Sequence, residues 1–188
     1  MPDDSPSFET LGADIRALRR ARGLTLAQVA EGLGRSVGWM SQVERDLSQP
    51  SITELRHMAE LLGVTVSMLA RHQAEGPEAG RVVRAGARRP IGSRVSGLVE
   101  ELLSPDLTDD FEMVHCVFEP GSEIGETVTR PTQEVAWLVS GRLVVTIGGD
   151  RFEIGPGDSF RIRGEPMRWE NPYDVPATAI WVIAPPVY

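Results

Sequence analysis

Residues 24–51, LTLAQVAEGLGRSVGWMSQVERDLSQPS, decide how this chain is read. Thr25-Leu26-Ala27-Gln28 has the form of a capping box, so a helix starts there. Val29, Ala30 and Leu33 recur on one face of that helix, and Gly34 ends it. Ser36 is placed to cap a second short helix, whose Met40 and Val43 point inward. Pro50-Ser51-Ile52-Thr53-Glu54 is another start signal, with Ser51 and Glu54 forming a second capping box.

Outward from this stretch the helical pattern continues on both sides. Leu11, Ile15 and Leu18 give residues 8–22 one apolar face, and Gly23 stops that helix. Leu55, Met58, Ala59 and Leu62 line a fourth helix closed by Gly63. Thr65 caps a short fifth carrying Val66, Met68 and Leu69. Five short helices predict a small all-α domain over residues 1–72. Residues 73–81 have no periodicity and two Gly around a Pro, and read as a linker. From 82 to 188 the texture changes to short β-rich runs: MVHCVF, EVAWLVSG, RLVVTIGGD, RFEIGPGD, SFRIRG and TAIWVI. Gly148-Gly149-Asp150 between two such runs predicts a hairpin turn. Many short strands at regular spacing predict a β-sandwich or small barrel.

The net charge of −8 argues at first against a nucleic-acid partner. Its distribution reverses that. All 19 cationic side chains are Arg. Over residues 10–47, Arg16, Arg19, Arg20, Arg22, Arg35 and Arg45 face only Asp14, Glu31, Glu44 and Asp46. Arg is also the better fork for phosphate oxygens and guanine edges. Cys116 is the single cysteine, so no intramolecular disulfide and no cysteine zinc site are expected; it reads as a buried reduced thiol in a strand. The acidic MPDDSPSFET start is not of signal-peptide type, and no apolar run approaches membrane-spanning length. The expected location is cytoplasmic.

The layout of residues 24–51 is that of a helix-turn-helix, which sets a short polar helix in the DNA major groove. Residues 11–70 resemble the XRE family of phage-repressor-like helix-turn-helix domains. That resemblance implies that the third helix enters the groove, with Arg35, Ser36, Val37, Gly38 and Gln42 toward the bases. Because Met40 and Val43 must pack, Ser36, Val37 and Gln42 lie on or near the opposite face. Gln42 suits a bidentate contact to adenine and Val37 a thymine methyl. Ser41, Arg45 and Arg19 are candidate phosphate contacts, as is the helix-start amide at Thr25 or Leu26. Gly38 offers no side chain to read with. Asp46 stands where the family usually has Gly, in a turn whose left-handed geometry Asp tolerates.

Residues 109–185 resemble the cupin family, a double-sheet barrel of jelly-roll type. The family's first motif, G-x5-H-x-H-x4-E-x6-G, finds Gly121, Glu134 and Gly141 on spacing, with Thr127 and Thr129 at the histidine positions. The second, G-x2-H-x3-N, finds Gly164, Met167 and Asn171. The resemblance therefore keeps the framework and lacks three of four metal ligands. Two hydroxyls, a thioether and one carboxylate are too weak for Fe, Zn or Ni. His57 and His72 belong to the helical domain, and His115 stands alone in a strand. No metal, no cofactor and no enzyme activity are expected.

Strand alternation puts Glu134, Ala136 and Leu138 on one face, with Thr127 and Thr129 on the same side of their strand. Met167, Trp169 and Trp181 would complete an effector pocket suited to a polar small molecule or an amine. Against this stands a barrel filled by its own side chains, with Glu134 paired to Arg130, Arg161 or Arg168. The combined expectation is a multidomain α and β protein: a homodimeric, sequence-specific transcriptional regulator, a repressor, holding a double-stranded operator and sensing an effector. The alternative is a metal-dependent cupin enzyme with a fused helix-turn-helix, resembling the fosfomycin-type epoxidases.

Overall fold

The structure is a computed structural model that describes residues 10–69, 78, 80–91, 95–105, 107 and 109–187. The readings made on residues 1–9, on His72 and on most of the 73–81 linker lie outside these. Two compact units are present. One comprises the described residues up to Arg89, together with those between 104 and 109. The other comprises those of Pro90–Leu103 and Asp110–Val187. The division falls after Arg89, later than the 73–81 segment.

The first unit contains α1 (Leu11–Ala21), α2 (Leu26–Gly32), α3 (Val37–Val43), α4 (Ile52–Leu62) and α5 (Val66–Leu69). Four are full helices; α5 is a single turn of four residues. Each start is where a short polar side chain can accept an orphan amide. Thr25 accepts from the Gln28 amide and Ser51 from the Glu54 amide, and both capping boxes are complete. Thr10 and Ser36 cap α1 and α3 in the same way. Ile15, Leu18, Val29, Met40, Met58 and Leu62 are fully buried and form the core. Leu33 and Val66, expected inside, are half-buried, because each sits at a helix end rather than in the middle of a packed face.

Two contacts tie α1 to the turn after α3. Asp46 takes φ 57, the left-handed value expected of it, and its Oδ1 accepts from the Gly12 amide at 2.9 Å. A Cβ at Gly12 would collide with the Val43 carbonyl oxygen. Only glycine allows α1 to lie this close.

The second unit holds β1 (Arg89–Pro90, begun by the last residue of the first unit), β2 (Leu98–Leu102), β3 (Glu112–Phe118), β4 (Gln133–Ser140), β5 (Leu143–Ile147), β6 (Asp150–Ile154), β7 (Ser159–Arg163), β8 (Met167–Glu170) and β9 (Ala177–Ala184). They form a six-stranded sheet, β1-β2-β3-β9-β4-β7, and a three-stranded sheet, β6-β5-β8. Gly148 and Gly149, with φ 61 and 98, make the β5–β6 turn, as their positive φ preference requires. Strand β2 was not anticipated, because LVEEL places two carboxylates side by side and breaks the period of two. Asn171 is fully buried and acts as a clasp. Its Nδ2 donates to the Phe118 and Val175 carbonyls and its Oδ1 accepts from the Tyr173 amide. Cys116 is buried in β3, and burial foremost, then Glu100 and Glu112, pushes its thiol well above the ordinary range.

Replacing Gly12 tests the α1 contact. Alanine would gain up to about 1 kcal/mol of helix propensity. The overpacking against α3 costs about 1–3 kcal/mol. Gly12→Ala is therefore expected to lower the denaturant midpoint of the helical circular dichroism signal; an unchanged or raised midpoint contradicts the close approach.

Candidate nucleic-acid interface and barrel interior

Helix α3 presents an exposed face at its N-terminal half. Arg35, Ser36, Val37, Gly38, Gln42 and Arg45 are exposed and Ser41 is half-buried, while Met40 and Val43 face the core. The structure thus brings together on one surface the residues expected at the bases. Arg45 Nε donates to the Ser41 carbonyl at 3.1 Å. The Ser36 hydroxyl accepts from the Trp39 amide and keeps its own proton to donate.

Arg35 is more constrained than expected. Its Nε donates to Glu54 Oε1 at 2.8 Å, and its guanidinium lies 5.2 Å from the Trp39 ring centre. Glu54 also accepts from the Ser51 amide and hydroxyl. Those Ser51 bonds first, and Arg35 after them, hold the Glu54 carboxyl below its ordinary range. Trp39 was overlooked in the sequence. Arg35 lies before the N-cap Ser36, outside the helix, so helical spacing did not connect it to Trp39.

Two expected phosphate contacts are engaged elsewhere. Arg19 Nε and Nη2 donate to the two oxygens of Glu44 at 2.5 and 3.0 Å, and Nη1 donates to the Leu24 carbonyl at 2.9 Å. The side chains are 13% and 6% exposed, so this pair is part of the interior and not of the surface. The Glu44 bond raises the Arg19 pKa. The Thr25 amide donates to Gln28 Oε1 at 2.8 Å, closing the capping box, which leaves Leu26 as the helix-start amide of the two that were considered.

These internal pairings sharpen the electrostatics. Asp14 is fully buried, with Oδ2 3.0 Å from Arg89 Nη1, and Glu44 is matched by Arg19. Asp46 is committed to the Gly12 amide. Two of the four acids counted over residues 10–47, Asp14 and Glu44, are thus buried, while Arg16, Arg20 and Arg45 are exposed.

In the barrel, β4 alternates as expected: Glu134, Ala136 and Leu138 are buried and Gln133, Val135 and Trp137 are not. Glu134 Oε2 accepts from Trp181 Nε1 at 2.8 Å and Oε1 accepts from the Thr132 hydroxyl at 2.7 Å. Arg130 Nη1 stands 3.9 Å from Oε1, so of the three arginines considered as partners Arg130 is the one in range. Met167 and Trp169 are buried. Trp169 meets Phe118 edge-on at 4.7 Å, and Phe160 meets Trp181 edge-on at 5.3 Å.

Thr127 and Thr129 are the exception. Both are exposed, and the half-buried residues are their neighbours Val128 and Arg130. The segment is no regular strand; a single bridge joins Val128 to Met167. With no ladder to fix its phase, the apolar Val128 takes the inward position and the hydroxyls turn to water. The cupin-type donor set therefore does not fit a metal: Thr127 and Thr129 are exposed, Met167 offers a thioether, and Glu134 is bound by an indole. His115 lies half-buried in β3 with Nδ1 3.6 Å from Glu101 Oε2. Among the described residues no group of three or more His, Cys, Asp and Glu could hold a metal ion.

Arg19→Ala should destabilise the helical unit by about 3 kcal/mol, the usual cost of stranding one partner of a buried ion pair. Urea unfolding followed by the helical circular dichroism signal checks this. A loss much below about 1 kcal/mol would return Arg19 to the list of surface cations.

Residues 10–71 match the family described as a helix-turn-helix domain, and residues 114–183 match the cupin domain family. The HTH-type transcriptional regulator PuuR of Escherichia coli (strain K12) is 25% identical over 162 residues, covering 85% of this chain and 86% of PuuR. The immunity repressor protein of Bacillus phage phi105 is 29% identical over 128 residues, covering 67% of this chain and 89% of that protein. Among solved structures, an RmlC-like cupin from Shewanella frigidimarina superposes with a TM-score of 0.50 at 19% identity, covering 61% of this chain and 94% of that one. The polyketide cyclase RemF from Streptomyces resistomycificus gives 0.50 at 18% identity, over 56% and 80%. At those identities the two structures speak for the fold alone. The chain thus joins a helix-turn-helix domain, matched over residues 10–71, to a cupin domain, matched over residues 114–183.

Proposed function

We propose that this chain is a cytoplasmic, homodimeric transcriptional repressor that reads an operator through α3 and responds to a small molecule in its cupin domain. The observation that carries the reading is the exposed face of α3, with Ser36, Val37, Gln42 and Arg45 outward and the nearby acids paired internally. The relatives named as a transcriptional regulator and a repressor support it. Two copies would place two reading helices at half-sites about 34 Å apart. Gln42 and Val37 carry base readout; Arg45 and Ser41 carry phosphate. Arg35 reads a base only by giving up Glu54, and Gly38 lets the backbone approach.

The cupin domain serves as sensor and not as an enzyme. Glu134 is a buried carboxylate held by an indole N–H and a hydroxyl, with the Arg130 guanidinium 3.9 Å away, a setting for a hydrogen-bond-donating ligand or for a cationic one that displaces Arg130. Ala136, Leu138, Met167 and Trp169 are the proposed apolar lining. Effector control requires that the ligand bind the operator-competent and incompetent states differently, typically by about 1–3 kcal/mol. The enzyme reading would need a metal site of imidazoles and a carboxylate. Stoichiometric iron or zinc in the purified protein would overturn the sensor reading.

DNA titrations against a footprinted operator test the first half. Gln42→Ala should lose about 1–3 kcal/mol of discrimination at one base pair. Arg45→Ala should weaken all sequences alike and reduce the salt slope by about 1. Specific binding untouched by Gln42→Ala would refute the placement of α3.

The second half has an internal reporter. A ligand reaching Glu134 must disturb the Trp181 bond, so binding should change tryptophan fluorescence in wild type. The same titration on Glu134→Ala should be silent while operator affinity holds. An intact effector response in Glu134→Ala would move the site elsewhere.

A further inference from the structure

The outward face of the six-stranded sheet is apolar across its middle. On β4, Val135, Trp137 and Val139 are 42%, 49% and 42% exposed. Across the ladder, Val135 pairs with Val182 and Trp137 with Ile180 of β9, and Val182 in turn pairs with Met113 of β3. On β2, Val99 is 50% exposed. Single exposed apolar residues are ordinary; a continuous strip over several strands marks an interaction surface.

Charge flanks the strip with opposite signs. At the β7 edge, Arg161 stands opposite Val135 and Arg163 opposite Gln133, both exposed. Glu165 just beyond β7 turns back onto the Arg163 amide. On the other side, on β2 just inside the two-residue β1, the outward charged residue is Glu101, beside His115 of β3.

We propose that this face is where two copies of the chain meet, by a twofold axis lying in the face and parallel to its strands. The proposal deepens the homodimer reading above and rests on it. Such an axis lays β7 of one copy over β2 of the other, so that Arg161 approaches Glu101 at both ends of the interface. An axis across the strands would set β7 on β7, arginine over arginine. The charge pattern therefore selects both the occupant and the axis. Size agrees. Five strands about 4.8 Å apart, with about seven residues of about 3.4 Å each, give a face of roughly 24 by 24 Å. Its projected area of about 600 Å² grows with corrugation toward the roughly 800 Å² per partner of a stable interface. Sheets packed face to face interdigitate their side chains in this way, and an isologous contact needs the self-complementarity seen here.

Sedimentation equilibrium of the full-length chain tests this. Wild type should be a dimer. Trp137→Glu, an exposed position, should weaken dimerisation at least 10-fold, and Val139→Lys should do the same. Arg161→Glu and Glu101→Arg should each weaken it several-fold, and the two together should recover most of the loss. A monomeric wild type would overturn both the homodimer reading and this face. A dimeric wild type with Trp137→Glu and Val139→Lys equally dimeric would overturn the face alone, and a double swap weaker than either single would overturn the axis.

Discussion

The geometry of the reading surface depends on a clamp at the far end of α3. A seven-residue helix is marginal by itself and holds its direction only through tertiary contacts. Arg19 grips Glu44 with two hydrogen bonds, and Asp46 grips the Gly12 amide. Both contacts join the C-terminal end of α3 to α1. They leave the other end, with Ser36, Val37 and Gly38, exposed and free of packing demands. Charge that looked like surface charge is thus spent on rigidity, and the reading face inherits its aim from it.

The cupin domain shows the same economy in another form. The glutamate that a metal-binding relative would use as a ligand is kept, but its oxygens are satisfied by Trp181 and Thr132. A buried carboxylate without such partners would be costly. The framework residue Asn171 fastens three backbone groups of the domain.

Most of the helical unit was legible in the sequence because its signals are local. Capping boxes, the Gly63 stop and the left-handed Asp46 turn all act within a few residues. The inward phase of β4 was legible for the same reason, since alternation follows from the pleat. What escaped is non-local. Arg19 and Glu44 are 25 positions apart and Trp181 and Glu134 are 47 apart, and no spacing rule connects them. The motif spacing names Thr127 and Thr129 as positions along the chain. It could not fix which way they point, because the segment lacks a continuous ladder partner to set its phase. LVEEL hid its strand because paired carboxylates mask the alternation.

The buried contact between Asp14 and Arg89 bears on how the chain can be divided. Composition suggests cutting near residue 81, where the glycine-rich texture ends. A helical fragment ending there would keep a carboxylate at zero exposure and discard the guanidinium that sits 3.0 Å from it. A fragment carried through Arg89 keeps the pair whole, and its partner fragment then begins at Pro90, where the second unit begins. An ion pair, and not the change in sequence texture alone, sets the earliest residue at which the helical unit can be cut.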